Sequence, residues 1–401
     1  DKDKIEEIDG HIVLTENEGD VKGVEDKLVS VANVQNILNQ KDISLNGKEY
    51  NKVEIVPGDG YELVRLGEIC EIRNGDQLDK KNIITGNYPV FGGGSNIVGM
   101  HNKYNRENCV IIAATGNPGI VTIYNDKFWA SQCLTVEGYD DDNNNYIKHY
   151  CKCIESLFIN SKSGSAQCFI RAKQFENLKI SIPKDKQKMI EWSEKITEPY
   201  NEKLTKENRI KGLEKELQER VKYISENEDC EEKTIGEISN IVYGERITKG
   251  TCEKGIYPVY GGGGISFYNK TNNYEGTNIV ISRYAMSKEC VRVIYGCFHL
   301  LDSGMTLSLY DESLKVYIYN YLLNDDFQKD IYENHTQKTI QTNININSFK
   351  KIKLKIPKNK QLITDMEPRF QELEQLLVDV KNADKKYKDL IEELKNEAIQ
   401  Q

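Results

Sequence analysis

The chain has 401 residues, of which 38% are hydrophobic and 29% are charged, a composition typical of globular domains with ordinary cores. No apolar run reaches the roughly 18 residues that a membrane span needs, and the charged first twenty residues do not form a signal peptide, so we expect a cytoplasmic protein. The formal net charge of −9 argues against nucleic-acid binding by total charge alone, although binding depends on local fields.

The ten cysteines do not follow a metal-binding or disulfide pattern. No Cys-x-x-Cys motif occurs, and no histidine pairs with a cysteine at zinc-finger spacing. Cys109, Cys133 and Cys290 lie inside apolar runs, which predicts buried free thiols in a reducing cytoplasm. We therefore expect no metal site.

Residues 1–60 form a leader that differs from the rest of the chain. The chain starts with Asp1 rather than Met, which suggests a processed or excised fragment. A mostly β domain is predicted over 61–185, because short β-like runs such as Cys109–Ile112 and Ile120–Tyr124 alternate with Gly, Asn and Asp clusters. A helix is predicted over 147–160, and Asp140 to Asn145 is interpreted as a solvated loop.

A helical spacer is predicted over 186–228, where Pro199 is expected to kink or interrupt the helix. Its apolar positions are Met189, Trp192, Ile196, Ile210, Leu213, Leu217 and Ile224. A second β-rich domain follows over 229–358, with runs such as Ile279–Ile281 and Val291–Tyr295 and a helix over 316–333.

The last segment, 359–401, is predicted as a second helical spacer with three-four apolar spacing that is broken only at Asp384. Its apolar positions are Ile363, Met366, Phe370, Leu373, Leu377, Val380, Tyr387, Ile391, Leu394 and Ala398. Two such stripes in one chain predict that the helices pair as a coiled coil. The alternative is that each helix packs only on its own domain.

The two halves repeat one another in order. Leu66–Ile69 recurs as Ile235–Ile238, and the block Tyr-Pro-Val-aromatic-Gly-Gly-Gly that starts at Tyr88 recurs at Tyr257 with the same offset. The segment Lys179–Lys184 recurs as Lys353–Lys358, at a slightly larger offset. The predicted fold class is therefore α+β, with two repeated β-rich domains, each followed by a long helix. Such a molecule could contact two separated places on duplex DNA.

These motifs resemble the specificity subunits of type I restriction–modification systems. The resemblance covers about residues 61–401 and rests on the module opening at Leu66, the two Tyr-Pro-Val-aromatic-Gly-Gly-Gly blocks, Gly116–Gly119 leading to Trp129, and the Ile-Pro-x-x-x-Gln exits that end at Gln187 and Gln361. It implies two target-recognition domains, each reading one half of a bipartite DNA sequence, and helices that set the gap and dock methyltransferase subunits.

The resemblance implies double-stranded DNA and methyltransferase subunits as partners, with restriction subunits as a further partner and no membrane. Catalysis is then expected on partner subunits, with S-adenosylmethionine and ATP bound there and no cofactor in this chain. The leader from Leu28 to Tyr50 is similar to the tail of an adenine methyltransferase, although Lys48-Glu49 departs from that tail. One alternative is thus the recognition end of a fused methyltransferase, and the other interpretation of the leader is an unstructured acidic segment.

Candidate DNA-binding residues lie near the glycine blocks. Arg or Lys reads guanine and Asn or Gln reads adenine in the major groove. Candidate base contacts are Asn96, Asn102, Lys103 and Arg106 in the first domain, and Asn269, Lys270, Arg283 and Lys288 in the second. Candidate phosphate contacts are Lys80, Lys81, Arg246 and Lys249. Gly92, Gly93, Gly262 and Gly263 form hairpin turns or let the backbone approach DNA closely.

Where the family carries a basic residue before Gly-x-x-Gly, the first domain has Ala113-Ala114 and the second has Arg283 without the glycines, so individual contacts cannot be transferred from the family. No Asn-Pro-Pro-Tyr-like, Gly-x-Ser-x-Gly or His-Glu-x-x-His motif occurs, which predicts a non-catalytic chain. A non-DNA protein-interaction scaffold is the remaining alternative, since the local charge between Arg73 and Lys127 is only +2 and between Tyr243 and Leu300 only +3.

Overall fold

A computed structural model describes residues 5–8, 11–16, 27–33, 55–79, 81, 83, 85–160, 170–250, 255–261, 264–283, 290–338 and 342–400. The chain divides into two compact units, one formed by 1–193 with 391–401 and the other by 194–390. Within the described residues, no helix is long and apolar enough to cross a membrane.

The leader contributes strands to unit 1. β1 (Ile5–Ile8), β2 (His11–Glu16) and β3 (Lys27–Asn33) form a three-stranded antiparallel sheet. This backbone differs from the unstructured leader that was one sequence-based interpretation. Residues 34–50, which carry most of the methyltransferase-like stretch, lie outside the described residues.

The first β-rich domain is built on a six-stranded sheet in the order β6-β11-β9-β10-β7-β8, in which only β10 and β7 run parallel. The domain's elements are β4 (Val56–Pro57), β5 (Tyr61–Arg65), α1 (Leu66–Ile69), β6 (Cys70–Asn74), β7 (Tyr88–Phe91), β8 (Ile97–His101), β9 (Arg106–Ile112), β10 (Val121–Ala130), β11 (Leu134–Gly138), α2 (Asp141–Cys153), α3 (Glu155–Asn160), a 3-10 turn (Ala172–Gln174) and β12 (Lys179–Pro183). The buried core residues Val110, Ile111 and Val136 come from the central strands.

The run Asp140 to Asn145 starts helix α2, whereas a solvated loop was expected. The Asp140 side chain accepts a hydrogen bond from the Asn143 backbone N–H at 2.8 Å and so caps the helix. Asp141 and Asp142 lie in the first turn, where negative charge complements the helix dipole. The acidic cluster is thus a helix start.

Helix α4 (Lys186–Asn227) is one continuous helix with Pro199 inside it, so the expected interruption is wrong. Pro199 has no N–H to donate to the carbonyl four residues earlier, which removes one helical hydrogen bond. Buried stripe residues on either side, Ile196 and Ile210, hold the helix in place despite that loss.

The second β-rich domain lies in unit 2, with sheets in the orders β14-β20-β17-β18 and β16-β15-β19. The elements are β13 (Cys230–Thr234), α5 (Ile235–Ile238), β14 (Ser239–Tyr243), β15 (Tyr257–Gly261), β16 (Gly264–Asn269), β17 (Thr277–Ser282), β18 (Val291–Tyr295), β19 (His299–Leu300), β20 (Gly304–Leu309), a 3-10 turn (Glu312–Leu314), α6 (Lys315–Leu323), α7 (Asp325–Asn334), β21 (Thr336–Lys338), β22 (Thr342–Ile344), α8 (Ile346–Lys350) and β23 (Lys353–Pro357).

Within unit 2, α4 pairs with a second long helix. After the short helix α9 (Gln361–Thr364), α10 covers Glu367–Ala398 and ends in β24 (Ile399–Gln400). Ion pairs join Lys203 to Asp384 at 2.6 Å, Lys206 to Asp379 at 3.3 Å and Arg209 to Glu372 at 2.7 Å. Residue numbers fall along α10 as they rise along α4, so the helices are antiparallel. The α+β fold class with paired helices is confirmed.

The apolar stripe of α10 continues past Asp384 through its neighbour Ala383, which is buried. Partial burial raises the pKa of Asp384, but hydrogen bonds from Lys203 and Lys388 outweigh that effect and hold the pKa below its ordinary value. The carboxylate is therefore charged at neutral pH and ties the two helices together. Leu213 and Leu217 also join the hydrophobic core of the second domain, so helix pairing and packing on the domain both occur.

The C-terminal end of α10 is a structural part of unit 1. The Tyr61 hydroxyl donates to Glu397 at 3.2 Å, the Gly58 N–H donates to the Ala398 carbonyl at 3.0 Å, and β24 pairs with β4. Leu394 and Ala398 are fully buried. The last turns of the chain thus complete the hydrophobic core of a domain whose first strand is β4, far earlier in the sequence.

We expect Leu394→Ala to lower the free energy of unfolding of unit 1 by about 2–5 kcal/mol, because it leaves a cavity in this core. Both tryptophans of the chain, Trp129 and Trp192, lie in unit 1, so urea denaturation followed by tryptophan fluorescence reports on that unit. Asp389→Ala, at an exposed position of the same helix, is the control and should change stability by less than about 0.5 kcal/mol. Equal effects of the two substitutions would contradict the structural role of the C-terminal helix.

Candidate nucleic-acid interface

Several loops of unit 1 meet at the ends of the sheet strands. We call residues 74–79, 92–96, 113–119, 131–133 and 170–172 loop cluster 1. Backbone hydrogen bonds hold them together: Gly75 donates to Cys133, Ala114 and Thr115 donate to Gly93, and Ile170 donates to Ala114. Because backbone groups make these bonds, exposed side chains on the loops can differ without breaking them.

Unit 2 contains the same arrangement, which we call loop cluster 2 and define as residues 243–246, 261, 282–283, 301–304 and 344. The bond from Ile344 N–H to the Arg283 carbonyl corresponds to the bond from Ile170 to Ala114. The bonds from Gly244 to Gly304 and from Leu301 to Tyr260 correspond to those from Gly75 to Cys133 and from Ser131 to Phe91. The sequence repeat is therefore also a repeat of hydrogen bonds.

One asparagine in each unit acts as a clip that the sequence reasoning did not find. The Asn105 side chain accepts from the Ala130 N–H at 2.7 Å and donates to the Ala130 carbonyl at 3.1 Å. Asn273 does the same with both backbone groups of Leu300, at 2.8 and 3.3 Å. An amide can satisfy a donor and an acceptor at once, so each clip imitates a neighbouring strand.

The first two glycines of the unit 1 block, Gly92 and Gly93, are packed inside the domain. A Cβ on Gly93 would lie 2.2 Å from the Thr115 hydroxyl oxygen, and one on Gly92 would lie 2.8 Å from a methyl group of Val98. Both glycines are buried. Their small size therefore lets the hairpin approach the Thr115 loop of the same domain, which supports the turn interpretation. Gly262 and Gly263 lie outside the described residues.

Each glycine block sits in a hairpin, β7–β8 in unit 1 and β15–β16 in unit 2, and the second strand is at a sheet edge. Both hairpins carry a register shift at the same place, between Val90 and Phe91 and between Val259 and Tyr260. Although 63 of the 401 residues are acidic, neither 80–106 nor 254–274 contains an acidic residue. Together these two segments hold six basic residues: Lys80, Lys81, Lys103, Arg106, Lys254 and Lys270.

The absence of acidic residues from these two segments does not appear in net charges that are counted over longer ranges. The counts of +2 and +3 included acidic residues outside the hairpins. A segment with basic and amide side chains and no carboxylate is compatible with a polyanion such as DNA.

Most of the described candidate residues have exposed side chains. They are Lys81, Asn96, Asn102 and Lys103 in unit 1, and Arg246, Lys249 and Lys270 in unit 2. Lys81 lies 3.8 Å from Asp79, a distance at which an exposed ion pair contributes little. Lys80 and Lys288 lie outside the described residues.

Two candidates are instead buried and bonded within the fold. The Arg106 guanidinium donates to the Thr135 hydroxyl and to the carbonyls of Asn105 and Asn74, at 2.7–3.1 Å. Asn269 is 7% exposed and donates to the carbonyl and hydroxyl of Thr271. These bonds use the groups that would read a base, so the structure gives both residues a role inside their domains.

Arg283 occupies the position in unit 2 that Ala114 occupies in unit 1, as their matching hydrogen bonds show. Its guanidinium donates to the Asp302 carbonyl at 2.7 Å and lies over the Tyr243 ring, 4.4 Å from the centroid. The side chain is half-buried at loop cluster 2. The two loop clusters therefore share a backbone frame and differ in charge at one central position.

No redox or metal chemistry stands out among the described residues. All eight described cysteines are free, and burial raises the pKa of Cys70 to about 12 and that of Cys133 and Cys290 to about 11, so these three stay protonated. Burial and the adjacent Lys148 lower the pKa of His149 to about 3, so it is neutral. The part of the chain that the structure describes contains no group of three or more His, Cys, Asp or Glu side chains placed to hold a metal.

The model of the type I restriction modification DNA specificity domain family matches this chain twice, over residues 58–215 and 227–375. The chain belongs to this family. The starts of the two matches have the same offset as the sequence repeat, and each match takes in one β-rich domain and part of a long helix. The resemblance to type I specificity subunits and the prediction of DNA target recognition are confirmed.

The specificity-domain fold also appears among solved structures. The type I restriction–modification S subunit from M. genitalium is 17% identical, with a TM-score of 0.55 over 86% of this chain and 98% of that chain. The HsdS subunit from Thermoanaerobacter tengcongensis is 14% identical, with a TM-score of 0.30 over 86% of this chain and 98% of that chain. The first likeness shows a shared fold. No curated protein matches the chain.

We expect Asn105→Ala to destabilise unit 1 of this specificity protein by about 1–3 kcal/mol, because it leaves the buried Ala130 N–H without its partner, while the Ala130 carbonyl keeps only the bond from the Asp76 N–H. Asn105→Asp should also destabilise it, since a carboxylate cannot donate to the Ala130 carbonyl. Tryptophan fluorescence during urea denaturation measures both effects. Asn102→Ala, at an exposed asparagine of the same domain, should leave stability within about 0.5 kcal/mol, and a similar loss there would contradict the clip.

Proposed function

We propose that this specificity protein recognises a bipartite DNA sequence, with each β-rich domain reading one half-site. The observation that carries the proposal is the repeat of one hydrogen-bonded loop frame in two units with different side chains on it. A common frame supports a common mode of docking, while the exchange of Ala114 for Arg283 supports different sequences read by the two domains. Exposed Asn and Lys side chains on the acid-free hairpins are suited to base and phosphate contacts.

The same proposal assigns methylation and cleavage to other subunits. Specificity domains of this family generally bind DNA without catalysing its modification. S-adenosylmethionine and ATP are then bound by methyltransferase and restriction subunits, and this chain docks the methyltransferase through its long helices in the cytoplasm. The paired helices support this role, because their outward faces carry many charged residues that the pairing does not use.

Selection from a random DNA pool tests the recognition of DNA. The full chain, together with methyltransferase subunits of its own system, should enrich a motif of two defined halves separated by a gap of fixed length. The motif is read by sequencing the bound pool. An Arg283→Ala variant should relax or alter one half only, because the residue lies in one domain. A pool without enrichment would leave the interaction-scaffold interpretation in place and overturn this proposal.

The paired helices are proposed to set the gap. Inserting seven residues after Glu207 and seven after Leu376 lengthens both helices by about 10 Å and keeps their apolar stripes in phase. We expect the gap to grow by about three base pairs, since DNA rises roughly 3.4 Å per base pair, while both half-sites stay the same. The readout is the selected motif of the variant. A gap of unchanged length would show that the helices do not determine the spacing.

A further inference from the structure

The two hairpins that carry the glycine blocks, β7–β8 and β15–β16, each expose an isoleucine at the same register position. Ile97 is the partner of Phe91 across β7–β8, and Ile265 is the partner of Tyr260 across β15–β16. Each is the first exposed apolar residue after the glycine turn, directly at the register shift. Their exposed fractions are 57% and 49%, high for a side chain whose burial would contribute about 1.5–3 kcal/mol.

The neighbouring positions do not repeat in this way. The residue after Ile97 is Val98, which covers Gly92, whereas the residue after Ile265 is Ser266, near Gly261. The preceding position is Asn96 in one hairpin and Gly264 in the other. Single exposed apolar residues are common on protein surfaces. Two at one register position, on edge strands beside equivalent loop clusters, indicate a shared contact.

The surroundings favour DNA as the occupant over a protein partner. The segments 80–106 and 254–274 contain no carboxylate, Asn96 is exposed directly before Ile97, and Asn102 and Lys103 are exposed just after the end of β8. Amide and ammonium groups on a hairpin without carboxylates, beside the exposed aliphatic side chains of Ile97 and Val98, complement a polyanion that also presents small apolar groups. The C5 methyl of thymine is the apolar group that the major groove presents, and that groove admits a two-stranded β-ribbon.

We propose that Ile97 and Ile265 each contact a thymine methyl group in the major groove of one half-site. This inference rests on the proposed recognition of a bipartite sequence and names part of its chemistry. A methyl group buried against an isoleucine contributes selectivity for thymine over a base without the methyl group. Burial of one methyl group corresponds to about a fourfold difference in affinity.

The test uses deoxyuridine, which keeps every hydrogen-bonding group of thymine and lacks only the methyl. The full chain with its methyltransferase subunits binds duplexes carrying the selected motif, in which each thymine of both strands is replaced in turn. We expect one replacement in each half-site to weaken binding about fourfold. In Ile97→Ser, the loss should vanish at one half-site and persist at the other, and Ile265→Ser should show the reverse pattern.

Ile256→Ser is the matched control, because Ile256 is 79% exposed in unit 2 but lies before β15, off the edge strand. It should keep both thymine preferences. The inference is overturned if Ile97→Ser and Ile265→Ser leave both preferences intact, if no thymine position responds to deoxyuridine, or if the variants lose methyltransferase binding while DNA selectivity persists. Failure of the random pool to yield a bipartite motif would instead overturn the proposed function itself.

Discussion

The structure depends on burial of the apolar stripe that α4 and α10 share. In unit 2, Leu213, Leu217 and Phe370 belong to one continuous core with the strands of the second domain. In unit 1, Leu394 and Ala398 are buried beside the start of the first domain. Each helix is therefore both a spacer and a piece of core. A recognition domain in this chain cannot be separated from the helices without exposing apolar surface, which ties the integrity of DNA recognition to the helical pairing.

Ion pairs on the flanks of that stripe determine direction more than stability. Lys203–Asp384, Lys206–Asp379 and Arg209–Glu372 are partly or largely exposed, and pairs of this kind contribute little free energy each. At either end of this set the charges are reversed, with Glu198 opposite Lys386 and Glu216 opposite Arg369, so a register shifted by one or two turns would bring like charges together. Hydrophobic burial thus drives association, and charge selects one alignment. The same division of labour holds in the domains, where backbone bonds fix the loop clusters and exposed side chains are left to vary.

The repeat and the apolar spacing were enough to predict the fold class, because both follow from sequence periodicity. Sequence periodicity does not predict the hydrogen bonds of individual side chains. Arg106 and Asn269 resemble base-reading residues by type. The fold places the Arg106 guanidinium against Thr135, and the turn that follows β16 places Thr271 against the Asn269 amide. The role of Asn105 is not visible in the sequence, because its side chain bonds to Ala130 and Asp76, which are both distant in the sequence. Pro199 does not interrupt α4, since tertiary burial of the stripe on either side outweighs one missing hydrogen bond.

The negative net charge of the chain comes from acidic residues that lie outside the two hairpins. Acidic residues cap α2, pair along the helices and fill the leader, while the two hairpins have none. A surface with few cations gains little from counterion release, so affinity for random DNA is expected to be weak. Discrimination then depends on contacts to base edges. For a protein whose task is to distinguish one sequence among many, low affinity for the wrong sequences contributes as much to specificity as high affinity for the right one.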